Sequence, residues 1–434
     1  MISRPALAEA ALALRAGDPE RLRLASVEVD SDPLDVVRAG AAAFGEAAFF
    51  SSPDGRAVGG LGAARRFVTS GQDRFVRLDR EVETLPADAV ALVGFSFWPD
   101  GSTSDAWSSF PAAEAVVPLI TVVREAGRSR LILAVPAGSD PAGVLAAAGT
   151  LRPPLDPGVP EGDLVVDSVP SPAEWGEQVE EAIASITAGG LDKVVLARSL
   201  WVRPGAPIAG FDLAALLRDR YPRARVFGWQ AGDAVLTGAS PELLVRRRGE
   251  RFDALPLAGS ARRGATPAED RAFGDGLLAS AKDRVEHDLV VEDVARRLIP
   301  VADVLDVAPE PHLERFATVQ HLATRVTGTG TARLLRLVDA LHPTPAVGGS
   351  PTAEALSFIS KVETVDRGWY AGGIGWADGR GDGETAVTLR CGLVRGDGVL
   401  MFAGNGIVAD SDPAAEVAET RLKFRPLLDL LVDR

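Results

Sequence analysis

Short apolar runs broken by turn residues fill the first third of the chain, and they constrain its fold more than any other feature. AAFFSS is followed by PDGRAVGG, ALVGFSFW by PDGSTSD and RLILAV by PAGSDPAG, with PLITVV between the last two. Apolar runs bounded by Pro, Asp and Gly read as strands joined by tight turns. Strand following strand without an intervening helix argues for antiparallel hairpins rather than βαβ alternation. The stretch LRPPLDPGVPEGD, Leu151 to Asp163, is the best candidate boundary. It divides the chain into an N-terminal β-rich subdomain (1–165) and a second region (166–434), expected to behave together as one folding unit. The 434 residues, 46% of them hydrophobic, are enough to bury a sizeable core.

The formal charge of −14 sets the functional classes aside one by one. No Lys/Arg-rich face is available to neutralise phosphates, so no nucleic-acid partner is expected. An anionic substrate would need a local island of positive charge or a metal ion. The single cysteine, Cys391, excludes a disulfide framework and a Cys-based metal site, and suits a reducing cytoplasm. The N-terminus carries a short apolar helix without a cleavable leader pattern, and no run of about 18 apolar residues offers a membrane span. A soluble cytoplasmic protein is expected.

After the Pro-rich stretch comes a helix, SPAEWGEQVEEAIASITAGG. Ser171 and Glu174 have capping-box spacing, Pro172 sits at the first helical position, and Trp175, Val179, Ile183 and Ile186 form one stripe closed by Gly189. The next segment, GGLDKVVLARSL, reads as a buried strand from Val194 to Ala197, entered through Lys193 and left through Arg198. A lysine at the lip of a buried strand is either a snorkelling surface residue or a placed amine. Two helices present paired acids. In TPAEDRAFGDGLLASAKDRVEHDLVVEDVARRLI, with breaks expected at its glycines, Asp283 and Glu286 are spaced i, i+3, with Leu289 and Val290 on the other face. In the terminal helix, capped by Asp412 or Ser411 and started by Pro413, Glu416, Glu419 and Lys423 share a face. Two such pairs suit a hard cation held by oxygen, or simply form solvated acidic faces.

Glu242, after the Ser-Pro turn of LTGASPELLV, is placed as a buried proton donor or as an ordinary strand-edge acid. PLAGSARRG offers a Gly-Ser turn for an anion, or a plain turn. GNGIVA, Gly404 to Ala409, has dinucleotide-fingerprint spacing, but a helix begins only several residues later. His321 and His342 sit in apolar or turn contexts that suit core histidines.

Taken in order, KVVLAR, GASPELL, PLAGSARRG, KDRVEHDLVV, VQHL, LHPTPAVGG, RGWYAGGIGW, GDGETAVTLRCG and AGNGIVADSDPAAEVAET with a following Lys resemble the chorismate-utilising enzymes. The resemblance runs from Ser171 to the C-terminus; the first third matches only in its β-rich character. It implies an α+β fold, a large layered β-sandwich of two intertwined β-rich subdomains with outer helices and a cleft between them for the site. It implies that Lys193 activates water for attack at C2 of the ring, that Glu242 protonates the departing C4 hydroxyl, and that His321 lies beside the ring. Glu286 and Glu419 correspond to ligands of Mg²⁺, with Asp283 and Glu416 reaching it through water. Tyr370, Arg390 and Lys423, with backbone N–H groups around Gly404 and Gly406, correspond to positions binding the enolpyruvyl carboxylate, and Gly259 and Ser260 to a loop lining the pocket. A lysine acts as base only when neutral and a glutamate as acid only when protonated, and burial favours both forms.

Within the family the amine-transferring branches tend to lack the lysine at position 193, and aminodeoxychorismate synthases carry a lysine where this chain has Ala258. LHPTPAVGGSP is similar to isochorismate synthases. The expected activity is therefore Mg²⁺-dependent conversion of chorismate to isochorismate by a monomer, feeding menaquinone or catechol siderophore biosynthesis; the alternative is a salicylate synthase, which goes on to eliminate pyruvate. A dinucleotide-dependent oxidoreductase built on GNGIVA and a catalytically silent binding homologue are the readings from other classes. One departure stands out: Asn405 occupies a position where the family often has Ala, which is expected to add a polar side chain close to the substrate carboxylate and to alter affinity or product choice.

Overall fold

The computed structural model describes residues 2–18, 20–158, 163–316 and 319–432. The hairpins of the first third are present: Ala47–Ser51 pairs with Ala57–Leu61, and Ile120–Glu125 with Arg128–Val135. Every strand pair among the described residues is antiparallel, which leaves no βαβ unit for a dinucleotide. The strands form a 12-stranded, a 9-stranded and a 3-stranded sheet.

Side-chain alternation explains how the two large sheets stack. In Arg128–Val135, Leu131, Leu133 and Val135 enter one core while Ile132 and Ala134 enter the other. The first core lies on the outer face of the 12-stranded sheet, beneath helices Arg4–Ala16, Pro33–Phe44, Gly210–Arg220 and Pro413–Val432. The second takes in Phe50 and Phe227 of that sheet and Val93, Phe95 and Trp376 of the 9-stranded one. The Trp229 and Trp369 rings meet there with centroids 5.1 Å apart. Helices outside and stacked sheets inside make this the expected α+β sandwich.

Both large sheets run across the expected boundary. The 12-stranded sheet does so where Phe49 pairs with Gly228, and the 9-stranded sheet where Val93 pairs with Gly375. Residues 159–162 of the Pro-rich stretch lie outside the described residues. Just beyond them, Val165–Val169 joins the 12-stranded sheet against Lys193–Arg203. No helix among the described residues is long and apolar enough to cross a membrane.

Three local expectations are corrected. The Lys193 strand does not end at Arg198 but runs for 11 residues to Arg203. Arg198 is tolerated inside because its guanidinium donates to Thr420 Oγ1 at 3.2 Å and Ser168 Oγ at 2.7 Å. The long helical segment breaks at Ser280, not at its glycines: Ser280 Oγ accepts from the Asp283 N–H at 3.2 Å and starts a new helix, Ala281–Leu298. Gly274 lies inside the first of these helices, Pro267–Ala279, and a Cβ there would lie 2.7 Å from Leu313 Cδ1, so the glycine makes room and does not end the helix. On the new helix Val290 is buried, whereas Leu289 is exposed. The helix Pro172–Thr187 matches expectation, with both halves of its capping box formed. Its buried Trp175 donates from Nε1 to Ala197 O at 3.1 Å, which ties the helix to the lysine strand. Truncation of such a residue to Ala costs about 3–5 kcal/mol.

Candidate active site

All fourteen site residues named from the sequence line one cavity of about 250 Å³. Its walls come from the 12-stranded and 3-stranded sheets, two helices and the loops between them, and every lining residue lies between Lys193 and Lys423. Lys193 and Val195 stand on one strand. Gly404 and Gly406 stand on its antiparallel neighbour Gly398–Ile407, where Val195 pairs with Gly406. The fingerprint-like GNGI is therefore the end of a strand, and Pro413–Val432 begins six residues after Ile407, so no strand-to-helix turn forms there.

The two glycines are there for room. A Cβ on Gly406 would lie 2.5 Å from Lys193 Cε and 3.1 Å from its Nζ; one on Gly404 would lie 3.0 Å from the Tyr370 hydroxyl. Glycine at both positions lets the strand lie flat against the amine and the phenol. Gly259 is not part of a tight turn but a bulge in the strand Leu257–Arg262, with φ of 71°, where the pairing with Val319–Ala323 slips. Its carbonyl accepts from His321 Nδ1 at 3.3 Å.

Lys193, 3% exposed, is a placed amine: Nζ donates to Glu286 Oε1 at 2.7 Å. Lys423 Nζ donates to Glu419 Oε1 at 2.9 Å, Asn405 Oδ1 at 2.8 Å and Gly404 O at 3.0 Å. An ammonium has three N–H groups, so all three are committed. Glu416 is equally committed, with Ser411 Oγ donating to Oε1 at 2.8 Å and Asn405 Nδ2 donating to Oε2 at 2.8 Å. Burial raises the Glu416 carboxyl, while Lys423 holds that of Glu419 below its ordinary value.

Glu242 follows a strand that ends at Ser240 and precedes one that begins at Leu243. Its carboxyl accepts no hydrogen bond from a described residue, and burial pushes it up to about 7 against the pull of Lys193 and Arg390. His321 goes the other way: burial, with Arg390 and Lys423 near, drops it to about 3. It is therefore neutral at neutral pH, with Nδ1–H given to Gly259 and Nε2 without a partner among the described residues. His342, by contrast, is a core histidine held by Phe97 O at 3.2 Å. The Arg390 guanidinium has no hydrogen-bond or ion-pair partner among the described residues, and its backbone, whose carbonyl accepts from the Ala239 N–H at 3.2 Å, sits in the left-handed region at φ 51°. Ala371, also on the cavity wall, has φ 59°. Strained non-glycine residues of this kind persist where the surroundings enforce them, and they gather at functional sites.

Arg367, which the sequence reading missed, also lines the cavity. It is fully buried, donates to Glu363 at 2.6 and 2.7 Å and to Val195 O at 2.7 Å, and lies over the Phe97 ring. The only signal was an Arg four residues after a Glu beyond a helix end. Among the described residues no three His, Cys, Asp or Glu side chains converge tightly enough to cage a metal ion. Besides Glu242, four carboxylates nonetheless line the cavity, and two of them hold lysine ammonium groups that stand in for a cation. Mg²⁺ commonly binds through one or two carboxylates and keeps several waters, so this oxygen donor set fits it.

A sandwich that gathers a buried amine, a protonatable acid and an open arginine into one polar cavity has the makings of an enzyme acting on a small anion. Residues 8–432 match the model of the chorismate binding enzyme family, and the chain belongs to that family. It is 38% identical over 428 residues to the salicylate biosynthesis isochorismate synthase of Pseudomonas aeruginosa, covering 94% of this chain and 89% of that protein. It is 32% identical over 428 residues to the isochorismate synthase MenF of Bacillus subtilis, covering 92% and 91%. The solved structure of MenF, the menaquinone-specific isochorismate synthase of Escherichia coli, superposes with a TM-score of 0.86 at 27% identity, over 98% of this chain and 99% of that one.

Proposed function

We propose that the protein is an isochorismate synthase, an isomerase that converts chorismate to isochorismate. One observation carries the reading: a cavity in which a lysine amine and a carboxyl raised to about 7 face the same space, in a chain of the chorismate binding family. Lys193 accepts the proton of a water that attacks C2, and Glu242 gives its proton to the hydroxyl leaving C4. One water enters and one leaves, so the reaction is a net isomerisation. An ammonium is no base, so Lys193 must leave Glu286 and lose one proton before its amine can accept that of the attacking water.

The substrate carries two carboxylates. Arg390, Tyr370 and Lys423 take the enolpyruvyl one. Lys423 does so by giving up its bond to Glu419 while Asn405 and Gly404 keep the other two N–H groups. His321 offers Nε2 as an acceptor to a ring hydroxyl. Glu286 and Glu419 would hold Mg²⁺, which when bound supplies the positive charge that a ring carboxylate needs among these acids. The product feeds menaquinone or catechol siderophore biosynthesis, a reading that the likeness to the menaquinone-specific isochorismate synthase of Escherichia coli supports on the menaquinone side.

The test is incubation of the protein with chorismate, with and without Mg²⁺, with products separated by chromatography and mass. The expected result is a Mg²⁺-dependent, reversible chorismate–isochorismate mixture that Lys193→Ala does not produce. Salicylate plus pyruvate would place the protein with the salicylate synthases; no turnover under any condition would overturn the enzymatic reading.

A further inference from the structure

We propose that Asn405 is a positioning residue, whose amide joins Lys423 to Glu416 and so fixes the ammonium that faces the cavity. This rests on the reading of Lys423 as a binder of the substrate carboxylate. Gly404 and Gly406 line the cavity and Asn405 does not. Alternation along the strand turns its side chain to the opposite face, toward the terminal helix, where it is 1% exposed. There Oδ1 accepts from Lys423 Nζ at 2.8 Å, while Nδ2 donates to Glu416 Oε2 at 2.8 Å and to Glu416 O at 2.9 Å.

A cation on one side and a carboxylate on the other admit a single amide orientation, oxygen to the lysine and nitrogen to the acid. Aspartate would set a second carboxylate against Glu416, and alanine would release both neighbours. The chain of contacts has a functional consequence. Of the three bonds made by Lys423, those to Asn405 and Gly404 come from the strand, whereas the one to Glu419 comes from a side chain that can turn away. With two bonds kept, the ammonium stays aimed while its third N–H is exchanged for the substrate. Glu416 is tied on both oxygens, by Ser411 and by Asn405, and makes no direct bond to this ammonium.

The experiment is a double-variant cycle of Asn405→Ala and Lys423→Met, read both in chorismate turnover and in thermal unfolding. Asn405→Ala should raise KM about tenfold, the worth of a hydrogen bond to a charged group, with kcat changed less than about twofold. In the Lys423→Met background the same change should move KM less than about twofold, because its route of action is gone. A tenfold rise in both backgrounds, or an unchanged KM in Asn405→Ala with only a lowered Tm, overturns the inference. Asn405→Ser serves as a second truncation if the alanine variant does not fold. If the wild-type protein fails to convert chorismate, the functional reading fails separately. The unfolding cycle then decides: coupled losses at Asn405 and Lys423 uphold the pinning, and additive losses refute it.

Discussion

Replacing Glu242 by Gln should stabilise the protein above neutral pH while removing its activity. The side chain is 6% exposed, and burial raises its carboxyl from the ordinary 4.5 to about 7. The native state thus holds a proton that the unfolded chain has already lost. Stability contributed by that proton is fully present below about pH 4.5 and is lost as the pH climbs through about 7. A shift of about 2.5 units at about 1.4 kcal/mol each is an order-of-magnitude deficit of about 3 kcal/mol in the ionised state. Glutamine keeps the shape and cannot ionise, so the deficit disappears. With an unfolding entropy of about 2.1 cal/mol/K per residue across the chain, about 3 kcal/mol corresponds to about 3 °C in Tm. The assay is thermal unfolding of both proteins from about pH 5 to about pH 9 in Mg²⁺-free buffer. The variant should match the wild type at the acid end and melt about 3 °C higher at the alkaline end, while its kcat falls by about 10²–10⁴. Parallel Tm curves, or a variant less stable at alkaline pH, would refute the claim that this carboxylate is ionised against burial.

The same proton should shape the rate. In the wild type kcat/KM should fall as the pH rises through about 7, a limb missing from the residual activity of Glu242→Gln, and His321→Gln should leave that limb in place because burial keeps His321 neutral. Gly406→Ala would drive a methyl to within 2.5 Å of Lys193 Cε. It should displace the amine, lower kcat by about 10²-fold and cost about 1–3 kcal/mol in a denaturant melt. Arg390→Gly relieves a left-handed non-glycine backbone worth about 1 kcal/mol and removes a half-buried, unpaired guanidinium, so the variant should melt higher while KM for chorismate rises about 10²-fold. A lower melting temperature with unchanged KM would show that Arg390 serves the fold and not the ligand.

What the sequence made legible was what short-range chemistry decides. Turn residues marked the hairpins, Ser171 and Glu174 marked a helix start, and the ordered motifs brought all fourteen site residues to one cavity. What stayed hidden depended on partners distant in the chain. Arg198 read as a strand end because Ser168 and Thr420, which satisfy it, lie 30 and 222 residues away. The glycines of the long helical segment looked like breaks because the Leu313 contact that keeps Gly274 without a side chain comes from another strand. Gly259 looked like a turn because a bulge shows only against the strand it slips past. Asn405 looked like a polar intrusion on the substrate, and only the terminal helix reveals that it faces away.

The lining charges explain why so acidic a protein can take a dianion. Five cationic side chains, Lys193, Lys282, Arg367, Arg390 and Lys423, face five acids, Glu242, Asp283, Glu286, Glu416 and Glu419. Arg367 is spent on Glu363, and Glu242 is half protonated near pH 7, so the cavity is close to neutral with its proton in place. A neutral pocket does not by itself repay the desolvation of two carboxylates. A divalent cation on Glu286 and Glu419 would add two positive charges and release two lysines, one toward water and one toward the substrate. On this account the two ion pairs are a resting arrangement: they keep buried lysines and acids compensated until the charges they mimic arrive. Removing Lys423 should therefore tighten Mg²⁺ binding even as it raises KM for chorismate. Calorimetric titration of Lys423→Met with Mg²⁺ alone reads that out, and binding weaker than wild type would show that the lysine supports the cation site rather than standing in for its occupant.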